Sequence, residues 1–145
     1  MDLPSSFIGS TAVEGEIYFF EENCPVGVPD HPHVLVRHRD TYLFFNTCSS
    51  SLDTAVRLAK ARNWPEATYP VIEKNSVNNL TDDSYINCNQ FVELTETEFG
   101  EYVNQGYIHR DYGRGVIDGN DMDRIKMGIE MSINLSAEDI DRILS

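Results

Sequence analysis

Basic residues are scarce in this chain: 11 Lys and Arg stand against 24 Asp and Glu, a formal charge of −13 over 145 residues. Binding to a phosphate backbone rests mainly on cations that neutralise it, so the deficit argues against broad, non-specific nucleic-acid binding and leaves open only a local basic site. The cations are also dispersed. Arg37 and Arg39 flank a turn, Arg57, Lys60 and Arg62 share one segment, and Arg110 and Arg114 sit in a Gly-rich loop. Cysteine is equally sparse. Cys24, Cys48 and Cys88 are odd in number and widely spaced, with no CxxC, so neither a closed disulfide framework nor a thiolate zinc site is indicated. Reduced, buried thiols are expected. No apolar run approaches the length that spans a bilayer, and residues 1–6 show no basic segment followed by an apolar one. The expectation is a cytoplasmic protein with no membrane partner, in which the sequons at Asn79 and Asn134 have no role.

What is present suits one compact domain over residues 1–145, since 41% of the residues are hydrophobic, enough for a core without disulfide or metal. Three β-branched or aromatic-rich runs lie close together at residues 15–20, 33–37 and 42–47, broken by Gly27, Pro29, Pro32 and Asp40. The third ends in the polar cluster Thr47-Cys48-Ser49-Ser50-Ser51. This order suggests a small antiparallel β-barrel whose strand ends present hydroxyl groups at one mouth. Residues 69–72 and 84–94 read as further extended segments that pair across the polar loop 73–83.

Helices are read from periodicity and caps. Leu52, Ala55, Val56 and Ala59 recur at three- and four-residue steps, with Ser51 placed to cap and Asn63-Trp64-Pro65 to stop the inserted helix. Trp64 reads as a plug at the barrel edge. Thr95 and Glu98 have the spacing of a capping box, predicting a helix to about Asn104 that ends at Gly106. Met122, Ile125, Ile129 and Ile133 form an apolar stripe, continued beyond a cap at Ser136 and Asp139 by Ile140, Ile143 and Leu144. The barrel core is thus placed at about 14–104 and a C-terminal helical segment at about 120–144.

Taken in order, Gly15-Glu-Ile-Tyr-Phe-Phe20, His31-Pro-His-Val-Leu-Val36, a strand ending at Thr47, Ser84-Tyr-Ile-Asn-Cys-Asn-Gln-Phe-Val-Glu-Leu94 with its capped helix, and the helix 123–132 resemble the MazF/PemK family over roughly residues 14–135. The resemblance implies an α+β fold built on an SH3-like antiparallel barrel, commonly dimeric. It also implies a toxin that cuts single-stranded RNA without a metal or other cofactor and is held in check by a protein antitoxin. By position, His31 stands where the family has a basic residue, usually arginine, and Thr47 where it has a hydroxyl residue. The histidine is a departure: it can act as base or acid near neutrality, but it lacks arginine's permanent charge and two-pronged donation.

Metal-independent RNA cleavage needs a base for the 2′-hydroxyl proton, an acid for the leaving oxygen and positive charge near the phosphorane. The candidate catalytic residues are therefore His31, Thr47 and Ser49, and the candidate substrate contacts are His33, Arg37, Arg110, Tyr112 and Arg114. The last three belong to the one aromatic-basic interleaving in the chain, Tyr107, His109, Arg110, Tyr112 and Arg114, whose bland reading is a loop folding back on the barrel. His31-Pro32-His33 beside Asp30 admits a metal reading, but no second ligand cluster has fitting spacing and none is assigned. Cys48 reads as a buried strand-end thiol before it reads as a nucleophile. Two function classes follow: a MazF/PemK-like ribonuclease, or a non-catalytic module of the same fold that docks a basic protein through its acidic surface.

Overall fold

A computed structural model describes residues 3–110 and 115–145. In chain order the elements are α1 (Ser5–Ser10), β1 (Ile17–Phe20), β2 (His31–Arg39), β3 (Tyr42–Ser49), α2 (Leu52–Ala61), a 3₁₀ turn (Glu66–Thr68), β4 (Val71–Ile72), β5 (Ser84–Ile86), β6 (Val92–Thr95), α3 (Glu96–Asn104), β7 (Ile108–His109), α4 (Gly119–Glu130) and α5 (Ala137–Leu144). Among the described residues the fold is α+β, with five α-helices and a seven-stranded sheet whose strand pairs are all antiparallel.

The sheet runs β4-β5-β3-β2-β1-β7, with β6 also on β3. β3 serves three neighbours because it is eight residues long: its first half pairs with β6 and its end pairs with β5, while β2 runs along its other edge. Among the described residues this ladder is open, with β4 and β7 as its ends. A two-residue turn joins β2 to β3, where Asp40 takes φ 54°, a left-handed conformation that aspartate tolerates better than most side chains.

Alternation along the strands divides the core between the two faces of the sheet. One face carries Ile17, Val34, Val36, Phe44 and Cys48 under α4 and α5, which contribute Ile125, Ile129 and Ile143. The other carries Tyr18, Phe20, Leu35, Leu43 and Phe45 under α1 and α3, which contribute Ile8 and Phe99. A bulge between Leu35 and Arg37 shifts the register, so that Arg37 pairs with Phe44 and His38 with Leu43. Its consequence is chemical. Arg37 leaves the face of His33 and Leu35 and joins the face under α5, where its Nη2 donates to the Ser145 carbonyl.

Several expectations match. α2 lies where periodicity placed it, β4 and β5 pair across the loop 73–83 as expected, and α3 starts where the Thr95–Glu98 capping box, both halves of which form, predicts. Others differ. The extended segment 84–94 is broken into β5 and β6, because Asn46 Nδ2 donates to the carbonyls of Asn87 and Gln90, and Asn89 is tied to Thr68 and Ser132. Ser51 precedes α2 without a side-chain cap bond, its carbonyl accepting from Ala55 instead. Ile133 lies beyond the end of α4 and is 68% exposed, so the apolar stripe stops at Ile129. α1, absent from the sequence reading, is held by tertiary contact. A Cβ at Gly9 would collide with the Glu96 carbonyl and one at Gly100 with the Ser5 carbonyl, so the two helices touch backbone to backbone.

Candidate functional site

Beside β1 and β2, residues 78–82 of the loop 73–83 border a cavity of about 210 Å³. Its apolar walls come from Ile17, Phe19, Pro32, Cys48 and Leu80; Asp30, His31, Ser50, Thr81 and Asp82 add polar groups. Asparagine chemistry builds the covering loop. Asn75 Oδ1 accepts from the amides of Val77 and Asn78, Asn78 Oδ1 accepts from those of Asn75 and Leu80, and Asn78 Nδ2 donates to the Glu73 carbonyl. These bonds satisfy a turn that has no ladder of its own. A larger apolar groove of about 590 Å³ lies between α2 and α4, but no histidine lines it.

The two histidines of β2 take opposite roles. His33 is fully buried, stacked on Phe20 with ring centroids 3.8 Å apart. Its Nδ1 lies 2.9 Å from the His31 carbonyl, which can only accept, so Nδ1 carries the proton; Nε2 then accepts from the Val28 amide at 3.2 Å. Both ring nitrogens are engaged. Burial pushes its pKa down to about 4, so the ring is neutral at pH 7. Gly27, at φ 75°, lets the preceding loop close onto this ring, since a Cβ there would lie 2.8 Å from His33 Nε2. As placed, His33 braces the loop that leads to His31.

His31 is half-buried at the cavity, and its Nδ1 lies 2.8 Å from the Pro29 carbonyl. The same reasoning puts a proton on Nδ1. In the neutral ring Nε2 then keeps its lone pair, the form that accepts a proton from a ligand hydroxyl. Thr47 pairs directly with His33 in the β2–β3 register, which makes it a diagonal neighbour of His31, roughly 7–8 Å away in a regular ladder. Ser49, also half-buried, pairs with Tyr85. Strand alternation splits the hydroxyl cluster: Cys48 and Ser50 line the cavity, while Thr47 and Ser49 do not. Cys48 is buried and its thiol is pushed up to about 12 by desolvation, which leaves it protonated and un-nucleophilic.

The candidate cations lie elsewhere. Arg37 is six residues along β2 from His31, about 20 Å in extended chain, with Glu14 3.8 Å from its Nη1. Arg110 donates to the Ile8 and Thr11 carbonyls and to Thr11 Oγ1, closing the C-terminal end of α1. Tyr112 and Arg114 lie outside the described residues. Among the described residues no Lys or Arg lines the cavity, and no cluster of three or more His, Cys, Asp or Glu is placed to hold a metal ion. The sequence reading met Asp30 only beside the metal alternative, gave Asp82 no site role and missed Thr81; the signal available was the asparagine spacing at 75, 78 and 79, which marks a structured loop.

No protein-family model matches the chain, and no curated protein matches it in sequence. No helix among the described residues is long and apolar enough to cross a membrane.

Proposed function

We propose that the chain is a MazF/PemK-like endoribonuclease that cuts single-stranded RNA without a metal, on an SH3-like barrel, in the cytoplasm. The observation that carries this reading is the fixed tautomer of His31, whose Nδ1 is held by the Pro29 carbonyl while Nε2 stays available beside a cavity. In the proposed step Nε2 takes the 2′-hydroxyl proton as that oxygen attacks phosphorus. The bond to the 5′-oxygen breaks, leaving a 2′,3′-cyclic phosphate, and the imidazolium returns the proton to the departing oxygen. Thr47 and Ser49 hydroxyls donate to the non-bridging oxygens, a role that gains weight because Arg37 and Arg110 are engaged in the fold. A homodimer and an inhibitory protein antitoxin belong to the same reading.

The test is cleavage of mixed-sequence single-stranded RNA in EDTA. Wild type should cut it, His31→Ala should lose on the order of 10²–10⁴-fold in rate, as removal of a general base does, and Thr47→Ala should lose less. Intact RNA after incubation with folded wild type defeats the proposal. A second reading is favoured by the formal charge of −13 and a cavity that no Lys or Arg lines among the described residues: a non-catalytic module that docks a basic protein. It expects salt-sensitive capture of such a partner by wild type and by His31→Ala alike.

A further inference from the structure

We infer that the cavity beside His31 receives a nucleobase bearing an exocyclic amino group, cytosine above all, and excludes the phosphate; this rests on the ribonuclease reading. Size is the first argument. A volume of about 210 Å³ is below the roughly 300–1,000 Å³ of pockets that take drug-sized ligands, and it suits one ring system. Pro32 and Leu80 offer apolar walls against which a ring can lie. Charge is the second argument. Asp30 and Asp82 line the cavity, and among the described residues neither side chain has an ion pair or hydrogen bond. Ionised carboxylates are acceptors only, so with no Lys or Arg among the described residues that line the cavity they repel a phosphodiester and call for N–H donors.

Cytosine and uracil separate the alternatives at constant ring size. The cytosine N4 amino group donates to a carboxylate, whereas uracil would set its O4 acceptor against one, leaving both unpaired. With the base inside, its ribose and phosphate stay at the rim with His31. The asparagine bonds of the covering loop leave Asp82 and Thr81 to line the cavity while Asn78 holds the backbone.

The experiment measures fluorescence anisotropy of labelled 2′-O-methyl pentanucleotides, all-C or all-U, on the full-length chain; the blocked 2′-oxygen prevents cleavage. The all-C oligonucleotide should bind about tenfold tighter than all-U, the size of one well-made base contact. Asp30→Asn/Asp82→Asn, which turns both acceptors into amides at exposed positions, should bring the ratio close to one with an unchanged melting temperature. Equal binding of the two oligonucleotides by wild type, or a ratio that survives the double substitution, overturns the inference. Parallel cleavage of unmodified RNA keeps the two ideas apart: cutting without discrimination sinks the base preference alone, and RNA neither bound nor cut sinks both.

Discussion

Acid should destabilise this protein partly through one buried imidazole, and the size of the effect can be worked out. In an unfolded chain His33 takes up a proton near pH 6.5, whereas in the fold its burial holds protonation off to about pH 4. Between those values the unfolded state binds a proton that the native state does not. Its contribution is therefore complete above pH 6.5 and is lost as the pH falls toward 4. The gap, 6.5 − 4 = 2.5 pH units, corresponds to about 3 kcal/mol at 1.36 kcal/mol per unit. Carboxylates titrate in the same window, so the measurement must be a difference. His33→Phe keeps an aromatic ring against Phe20 but strands the Val28 amide, a cost of about 1–3 kcal/mol at neutral pH. Urea melts of both proteins should show the variant weaker near pH 7, with the gap narrowing by about 3 kcal/mol on the way down to pH 4. Parallel stability curves for the two proteins would refute the assignment of a neutral, buried His33.

The remaining predictions concern packing and thiol chemistry. Gly100→Ala places a methyl group against the Ser5 carbonyl where α1 and α3 touch, and should cost about 1–3 kcal/mol in a thermal or urea melt, as overpacking does; an unchanged melt would mean that α1 moves aside freely. Cys48 and Cys88 are buried, with both thiols pushed up by desolvation. At pH 8 they should resist a thiol-reactive dye in the native state and react fully in denaturant, and rapid native labelling of either would contradict the packing.

Legibility in the sequence followed the range of the interactions. α2 and α3 could be read because their signals are local: an apolar period of three and four residues in one, a reciprocal cap at Thr95 and Glu98 in the other. α1 was invisible because six residues carry too little periodicity, and its stability comes from Gly9 and Gly100, which are 91 positions apart (100 − 9). The break in residues 84–94 has the same origin. Asn87 and Asn89 alternate as strand residues should, but the Asn87 carbonyl accepts from Asn46 of β3, and the Asn89 side chain donates to Thr68 of the 3₁₀ turn and accepts from Ser132 just past α4. Arg37 was misplaced for a subtler reason: one bulge at the centre of β2 changes which face every later residue occupies, and nothing in Leu35-Val36-Arg37 announces it.

The candidate site shows what separates two identical side chains two positions apart. Period-two alternation makes His31 and His33 equivalent, and composition cannot rank them. Burial and the backbone decide. His33 lies one step further into the sheet, beneath Gly27 and against Phe20, so both nitrogens are consumed by Val28 and His31. His31 stands at the strand's first residue, where its partner is the Pro29 carbonyl of the preceding turn. That turn includes Asp30 at φ 60°, a left-handed conformation an aspartate can hold. The inner histidine thus fixes the loop, and the loop fixes the tautomer of the outer one. On the proposed ribonuclease reading, loss of His33 should accordingly reduce activity by loosening the alignment of His31. Its signature would be a fall in cleavage rate that Gln at position 33 partly rescues, because Gln retains an acceptor for the Val28 amide, and that Phe does not. Equal rates for His33→Gln and His33→Phe would break the link between the two rings.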